Sequence, residues 1–188
     1  CDLPELDPSR RVLGVIRPTA EIIGTLTKNN HVGLLATEGT VISHSYDLEI
    51  KKFWPDIKVS GVACPFWVPL VEYNEADSPG ADYFVKKRID ELMRKDNDID
   101  TIILGCTHYP ILMPKIIKYV KPGVRIIPQG EYIADSLKTY LDRHDTIESQ
   151  ITHGGSCRYY TTENPDKFKE SAQIFLHEKV TVNHVDLE

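Results

Sequence analysis

Short apolar runs alternate with amphipathic stretches along the whole of this 188-residue chain. Each run is nearly continuous in Val, Ile and Leu, which is typical of parallel strands that helices cover on both faces. The pattern therefore predicts an α/β fold built on an open parallel sheet with helices on both faces. The predicted strands are 12–16, 31–36, 58–64, 101–104, 124–127, 158–161 and 180–185, and the predicted helices are 18–29, 43–53, 83–95, 111–120, 132–141 and 165–176.

The charge balance argues against nucleic acid as a partner. The chain has 22 basic and 28 acidic residues, a net charge of −6, and it contains no long block of Lys or Arg. No apolar run approaches the roughly 20 residues that span a bilayer, and the first residues do not resemble a signal peptide. We therefore expect a soluble, cytoplasmic protein that binds neither nucleic acid nor a membrane.

The four cysteines, Cys1, Cys64, Cys106 and Cys157, lie far apart and form no CxxC pair. This spacing predicts neither a disulfide framework nor a zinc finger, and it fits a reducing cytoplasm. The chain begins at Cys1 in a stretch rich in Pro and Asp, which is typical of a connector. We therefore expect a further segment upstream of it.

Three turns follow predicted strands at the edge of the sheet where ligands bind in α/β proteins. They are 37–40, 64–65 and 105–110, and the last reads Gly-Cys-Thr-His-Tyr-Pro. Because the carboxyl ends of parallel strands meet at one edge, the polar residues of these turns are the candidate site.

Cys106 is the strongest candidate for chemistry. Gly105 permits a sharp exit from the strand and Pro110 suits the first turn of a helix, so Cys106 is expected at a helix N-terminus. Unpaired N–H groups there would lower the thiol pKa from about 8.5. His108 could donate a proton and Thr107 could bind a carboxylate. The alternative is structural, since a cysteine at the end of a buried strand is commonly an apolar filler.

Cys64, Thr37 and Thr40 are weaker candidates. Pro65 follows Cys64 directly and no His lies nearby, so we expect Cys64 to be structural. Thr37 and Thr40 bracket a glycine at a strand end and could bind a carboxylate, although Thr and Gly are also what ordinary turns contain.

Glu72 ends the apolar run 68–71 and opens a polar segment, 72–82, that we predict to be a loop near the site. Its carboxylate could orient His108. It could equally be a solvated loop acid, which is the commoner fate of glutamate.

The motifs of metal and nucleotide sites are missing from the sequence. The other six histidines are scattered, and no HxH, HExxH or Cys/His quartet joins them to Cys106. No GxGxxG or GxxxxGK[ST] loop is present either. We therefore expect neither a metal site nor a dinucleotide or nucleotide cofactor.

The motif at 104–110, Leu-Gly-Cys-Thr-His-Tyr-Pro, resembles the second catalytic motif of glutamate racemases, within the wider aspartate/glutamate racemase group. Aspartate-type members usually carry a different residue in place of this histidine. The resemblance covers nearly the whole chain. It extends to GVIRP at 14–18, ATEGT at 36–40, ACP at 63–65, VPLVE at 68–72, YYTT at 159–162 and HVDL at 184–187.

The resemblance implies two α/β domains that face each other across the site. Residues 1–16 would be a connector and remnant of the first domain, 17–130 the second domain, and 131–188 a C-terminal segment packing on the first. The first domain's aspartate-serine pair and its Cys-Asn-Thr motif, with the other catalytic cysteine, have no counterpart in this sequence. The family's usual acidic residue is also absent near Gln129.

The same resemblance implies an isomerase that interconverts L- and D-glutamate by two-cysteine proton transfer at Cα, without a cofactor. It further implies a cytoplasmic homodimer that supplies D-glutamate for peptidoglycan synthesis, and hence for cell-wall biogenesis and cell shape. The implied residues are Cys106, His108 and Glu72 for catalysis and Thr107, His108, Thr37 and Thr40 for binding substrate.

Two other functions are compatible with the sequence. Cys106 and His108 could serve a Cys-nucleophile hydrolase or transferase, which needs no second cysteine. Alternatively, the chain could be a non-catalytic ligand-binding fragment, because half of the expected site is not in it.

Overall fold

The computed structural model describes residues 11–152 and 154–187, in two compact units that divide between Tyr140 and Leu141. Residues 1–10 of the predicted connector, 1–16, lie outside the described residues. The elements of the first unit are α1 (Ile16–Leu26), β1 (His31–Ala36), α2 (Glu38–Ile42), α3 (Ser45–Lys51), β2 (Lys58–Ala63), α4 (Trp67–Glu72), α5 (Pro79–Lys95), β3 (Thr101–Leu104), a 3-10 turn (Tyr109–Leu112), α6 (Met113–Tyr119), β4 (Arg125–Ile127) and α7 (Gly130–Asp142), which runs across the division.

The four strands of the first unit form one parallel sheet with the order β2-β1-β3-β4. All four residues of β3 are buried, as are the residues of β1 after His31. Because these central strands have neighbours on both sides and cover on both faces, every position must be apolar or small, not only alternate ones. The predicted parallel sheet is confirmed.

Helices cover both faces of the sheet. On one face, Ile23 of α1 and Ile50 of α3 belong to the same buried cluster as Val32 of β1. On the other face, Gly33 leaves space for α5, because a Cβ at Gly33 would lie 2.8 Å from Leu92 Cδ2. The α/β fold expected from the sequence is therefore confirmed.

Several helix boundaries differ from the prediction for local reasons. The helix predicted from 83 begins at Pro79, because the Ser78 hydroxyl accepts the backbone N–H of Ala81 at 3.2 Å and caps it. The predicted loop over 72–82 is correspondingly shorter. The helix predicted over 111–120 is divided into the 3-10 turn and α6.

Two predictions near the start of the chain are wrong. Residues 11–15 form no strand, and α1 already begins at Ile16, while Val12 and Val15 are exposed. A strand needs neighbouring backbone to bond with, and no part of the described chain supplies it there. The predicted turn at 37–40 is instead the first part of α2, in which Thr37 accepts the backbone N–H of Val41.

The second unit contains α8 (Asp145–Glu148), β5 (Tyr159–Thr161), α9 (Pro165–Leu176) and β6 (Val182–His184). β5 and β6 pair in parallel, with α9 between them in sequence. The helix predicted at 165–176 is confirmed. The domain bounds 17–130 and 131–188 stay a prediction. None of the described helices combines the length and apolar character needed to cross a bilayer.

Candidate active site

The ends of β1, β2 and β3 bring the three predicted turns to one edge of the sheet. The ladder continues past the strands, because Cys64 N–H donates to Ala36 and Gly105 N–H donates to Leu35, each at 2.8 Å. Thr37, Cys64 and Cys106 therefore follow neighbouring strands at the same edge, as the sequence predicted.

Gly105 lies where the chain leaves β3, in close contact with β1 and α3. A Cβ there would lie 3.0 Å from both Ala36 Cβ and Leu34 Cδ1, and 3.4 Å from the Tyr46 ring. The backbone before Cys106 thus packs closely against β1, and a side chain at this position would need Ala36 or Leu34 to move by a few tenths of an ångström.

Cys106 is half-buried. The sequence predicted a lowered thiol pKa, but the environment of Cys106 raises it. Burial raises the pKa of Cys106, while the backbone N–H groups of His108 and Tyr109 oppose that rise without cancelling it. The expected activation is therefore wrong in direction for this chain. A single 3-10 turn follows Cys106, so the aligned N–H groups are few and desolvation outweighs them.

Three side chains form a hydrogen-bonding series that starts at Cys106. Its Sγ lies 3.9 Å from His108 Nδ1, and His108 Nε2 lies 2.6 Å from Glu72 Oε1. Glu72 ends α4, so the contact joins residues 36 positions apart. The structure thus provides the contact that the predicted role of Glu72 requires. Such a series can orient an imidazole and pass a proton to or from a thiol.

Trp67 and Tyr109 hold the elements that carry this series, and the sequence analysis did not identify either residue as supporting it. Both are fully buried, with ring centroids 4.8 Å apart in an edge-to-face arrangement. The Tyr109 hydroxyl donates to the Cys64 carbonyl at 3.2 Å. Burial raises the pKa of Tyr109, so its phenol stays protonated. The sequence offered one sign of this role, which is that Tyr109 lies within the motif at 104–110 that carries Cys106.

The remaining predicted residues occupy different environments. Cys64 is buried, its Sγ lies 3.7 Å from the Val62 carbonyl, and burial raises its thiol pKa, which fits a structural role. The Thr37 and Thr40 hydroxyls are 2.9 Å apart at the end of β1. Thr107 is exposed, between Cys106 and His108 in sequence.

Gln129 is a buried polar residue that the sequence analysis did not include in the site. Its amide donates to the carbonyl of Leu104 and accepts from the hydroxyls of Thr19 and Tyr46. Leu104 is only two residues before Cys106, so this network holds the backbone just before the candidate thiol. The absence of the family's usual acidic residue was the only signal in the sequence.

Comparison with known proteins places this arrangement in a family. A glutamate racemase of Streptococcus pyogenes is 38% identical over 176 residues, which cover 94% of this chain. The crystal structure of a Bacillus anthracis glutamate racemase superposes with a TM-score of 0.86 at 33% identity, covering 98% of this chain and 69% of the other. The chain belongs to the glutamate racemase family. No family model matches the sequence.

A second solved glutamate racemase, from Francisella tularensis in complex with D-glutamate, has a TM-score of 0.83 at 27% identity and covers 97% of this chain. The chain spans 66% of the length of the Streptococcus relative and 66% of the Francisella one. It therefore spans about two thirds of the length of these two relatives.

At the opposite edge of the sheet, this racemase-family chain has a charged cluster around Asp96. Ligand atoms of His31, Asp96 and Asp98 lie within 4.8 Å of one another, close enough to hold a metal ion. Asp96 is instead bound by Lys58 Nζ at 2.9 Å and by His31 Nδ1 at 2.8 Å. Lys58 already supplies the positive charge that a cation would bring, so the cluster is an ion pair that joins the first residues of β1 and β2 to the end of α5.

This cluster predicts a specific loss of stability in acid. Burial alone would raise the pKa of Asp96, but hydrogen bonds from Lys58, His31 and the backbone of Asp98 lower it to about 2. A depressed pKa stabilises the fold above the unfolded value of about 3.9, and that contribution is lost as the pH falls to about 2. Between those values, the free-energy advantage of wild type over Asp96→Asn is expected to shrink by on the order of 2 kcal/mol.

Urea unfolding of both proteins at several pH values between about 5 and 2 measures this difference. The other carboxylates are common to both proteins, so subtraction removes their effect. A difference between wild type and Asp96→Asn that does not change with pH would contradict the assignment.

Proposed function

We propose that this chain is the greater part of a glutamate racemase, in which Cys106 is one of two thiols that remove and return the Cα proton. The observation that carries the proposal is the series Cys106, His108 and Glu72 at the carboxyl edge of the sheet. Family membership and the D-glutamate complex of the Francisella relative support glutamate as the substrate.

The chemistry requires one acid/base group on each face of Cα. Cys106 would take the proton from one enantiomer and give it to the other, while the partner cysteine would come from the part of the protein outside this chain. The raised pKa of Cys106 suits the donor state. The substrate's ammonium group, once bound nearby, would favour the thiolate needed for proton removal. No cofactor is needed for such a thiol pair.

The other site residues would bind and polarise the substrate. His108 is held by Glu72 at 2.6 Å, so its imidazole is oriented to exchange a proton with Cys106. Thr107, Thr37 and Thr40 would supply hydroxyl and N–H donors to the substrate carboxylates. The resemblance further supports a cytoplasmic homodimer that feeds peptidoglycan synthesis, with residues 17–130 as one domain and 131–188 packing on the other.

Isotope exchange tests the function. The protein of native length would be incubated with L-glutamate in deuterium oxide, with the Cα proton followed by NMR and the enantiomers separated chromatographically. We expect deuterium at Cα of the D-product, racemisation to an equal mixture, and no covalent adduct. Absence of both exchange and racemisation from a folded protein of native length would refute the proposal.

A second candidate function is favoured by the same geometry. A thiol, an imidazole and a carboxylate in series also suit a Cys-nucleophile hydrolase or transferase. That activity predicts an acyl adduct on Cys106, which mass spectrometry after acid quenching would detect. Exchange at Cα without an adduct excludes it. Binding of D-glutamate measured by calorimetry, with no exchange, would instead indicate a non-catalytic binding fragment.

Glu72→Gln is predicted to lower kcat by about 10- to 100-fold with little change in KM. The variant keeps the size of the side chain but removes the charge that stabilises and orients His108, and a hydrogen bond to a charged group contributes about 1.5–3 kcal/mol. Racemisation followed by circular dichroism measures both constants.

Glu75→Gln is the matched control for Glu72→Gln, since Glu75 is an exposed glutamate in the turn that follows α4. We expect wild-type kcat from it. Equal losses in the two variants would show that the effect comes from general surface charge and not from the contact with His108.

A further inference from the structure

Gln129 adopts a left-handed backbone conformation, which is uncommon for residues other than glycine. It lies two residues after β4 with φ at +42°, in the left-handed region, and it is buried. A non-glycine residue there costs about 1 kcal/mol or more and persists where its surroundings hold it. The contacts of its side chain provide that hold.

The amide of Gln129 uses both of its ends. Nε2 donates to the Leu104 carbonyl at 2.7 Å, and Oε1 accepts from the Thr19 hydroxyl at 2.9 Å and the Tyr46 hydroxyl at 3.0 Å. Two hydroxyl donors on one end and a carbonyl on the other define the orientation of the amide. The residue therefore links α1 and α3 to the end of β3.

The bond to Leu104 continues the sheet by one step. β4 pairs with β3 only as far as Ile103, which lies opposite Ile127. On the other side, Gly105 N–H bonds to β1 at Leu35. Where β4 has ended, the Leu104 carbonyl accepts a hydrogen bond from the side chain of Gln129 instead of from a strand. The peptide group between Leu104 and Gly105 is therefore bonded on both sides, by Gln129 and by β1.

The Gln129 network also reaches the thiol electrostatically. Burial raises the pKa of Tyr46, its bond to Gln129 lowers it, and the charge of Cys106 raises it further. The Tyr46 ring also packs 3.4 Å from the position of a Cβ on Gly105. Tyr46 is thus bonded to Gln129 and adjacent to the backbone that carries Cys106.

We propose that Gln129 is a positioning residue for Cys106, and that its bond to the Leu104 carbonyl holds the thiol where the proton is exchanged. The inference rests on the proposed function for the role of Cys106. The position of the thiol itself can be measured without any racemase activity.

The residue type is specific because the amide must both donate and accept. A glutamate at this position keeps the size and the two accepting bonds, but its ionised carboxylate opposes the Leu104 carbonyl and adds a charge near Cys106. A methionine keeps the approximate length but removes all three hydrogen bonds. These two variants separate the effect of charge from the effect of bonding.

The experiment measures the rate of Cys106 alkylation by iodoacetamide against pH, resolved by peptide mass spectrometry, in the protein of native length. We expect Gln129→Glu to raise the midpoint of the profile by about one pH unit, because a nearby negative charge disfavours the thiolate. We expect Gln129→Met to lower kcat about tenfold at similar KM, since the lost placement affects the reacting geometry.

Thr19→Val is the matched control, because it removes one bond to Gln129 and leaves the bond to Leu104 intact. It should lower Tm and change the alkylation profile and kcat less than the Gln129 variants do, because the Tyr46 hydroxyl still bonds the amide oxygen. A folded Gln129→Glu protein with the wild-type profile would overturn the proposal, and so would a Thr19→Val protein with a profile shifted as far as that of Gln129→Glu.

Two further outcomes are distinguishable. If Gln129→Met fails to fold, the Gln129→Glu profile and the Thr19→Val control still decide the matter. If the wild-type protein shows no racemisation while Gln129→Glu shifts the alkylation profile, the proposed function fails and the positioning of Cys106 by Gln129 stands.

Discussion

Cys106→Ser is expected to lower kcat for glutamate racemisation by about 10³-fold or more in the protein of native length. Proton transfer by a positioned side chain contributes roughly 10²- to 10⁴-fold, and a serine hydroxyl is too weak an acid to replace a thiol in either direction. Serine keeps the size of the side chain, so the sheet edge should be undisturbed. Circular dichroism of the glutamate enantiomers measures the rate.

Cys157→Ser is the matched control for Cys106→Ser, because Cys157 is an exposed free thiol in the second compact unit. It should retain wild-type kcat. Wild-type racemisation by the Cys106→Ser protein would exclude the proposed acid/base role. A rate lowered equally by both substitutions would indicate a general effect of removing a thiol.

The second large effect is expected at Trp67, which should destabilise the protein by about 3–5 kcal/mol when replaced by alanine. Trp67 is fully buried, packs edge-to-face on Tyr109 at 4.8 Å, and donates its indole N–H to the Phe84 carbonyl at 3.4 Å. Alanine would leave a large cavity between α4 and the 3-10 turn. Urea unfolding followed by far-ultraviolet circular dichroism measures the loss.

Phe66→Ala provides the comparison, since Phe66 precedes Trp67 and is 50% exposed. We expect Phe66→Ala to lower the free energy of unfolding by about 1 kcal/mol, because a half-exposed ring buries less apolar area than a fully buried one. Equal destabilisation by the two substitutions would contradict the conclusion that the buried packing of Trp67 contributes more to stability than that of Phe66. If Trp67→Ala remains folded in the cold, a lowered kcat would show that the placement of Glu72 and His108 depends on this packing.

The elements that the sequence predicts well are those whose pattern is local and whose burial is complete. β1 and β3 appear at the predicted residues, because a run of buried apolar residues bounded by polar ones has few other solutions. The strand predicted at 12–16 has the same composition, yet it is absent from the described chain. Pairing decides whether such a run becomes a strand, and pairing is not a local property.

The candidate site divides in the same way. Cys106 and His108 are two residues apart, so one motif predicts their contact, and the structure places Sγ and Nδ1 3.9 Å apart. For Glu72 the sequence left open whether the carboxylate orients His108 or is solvated, and in the structure the end of α4 brings it to 2.6 Å from His108 Nε2. The sequence around Gln129 shows only that the family's usual acidic residue is absent, because the three partners of Gln129 lie on α1, α3 and β3.

By itself, the sequence determined the alternation of strands and helices, the parallel sheet and the motif that carries Cys106, since each of these is written in the order and spacing of neighbouring residues. Only the tertiary structure decided how Cys106 is held and in which direction its pKa moves. Burial raises that pKa while the N–H groups of His108 and Tyr109 lower it. Burial is set by segments distant in sequence, so local spacing could not reveal which effect is larger.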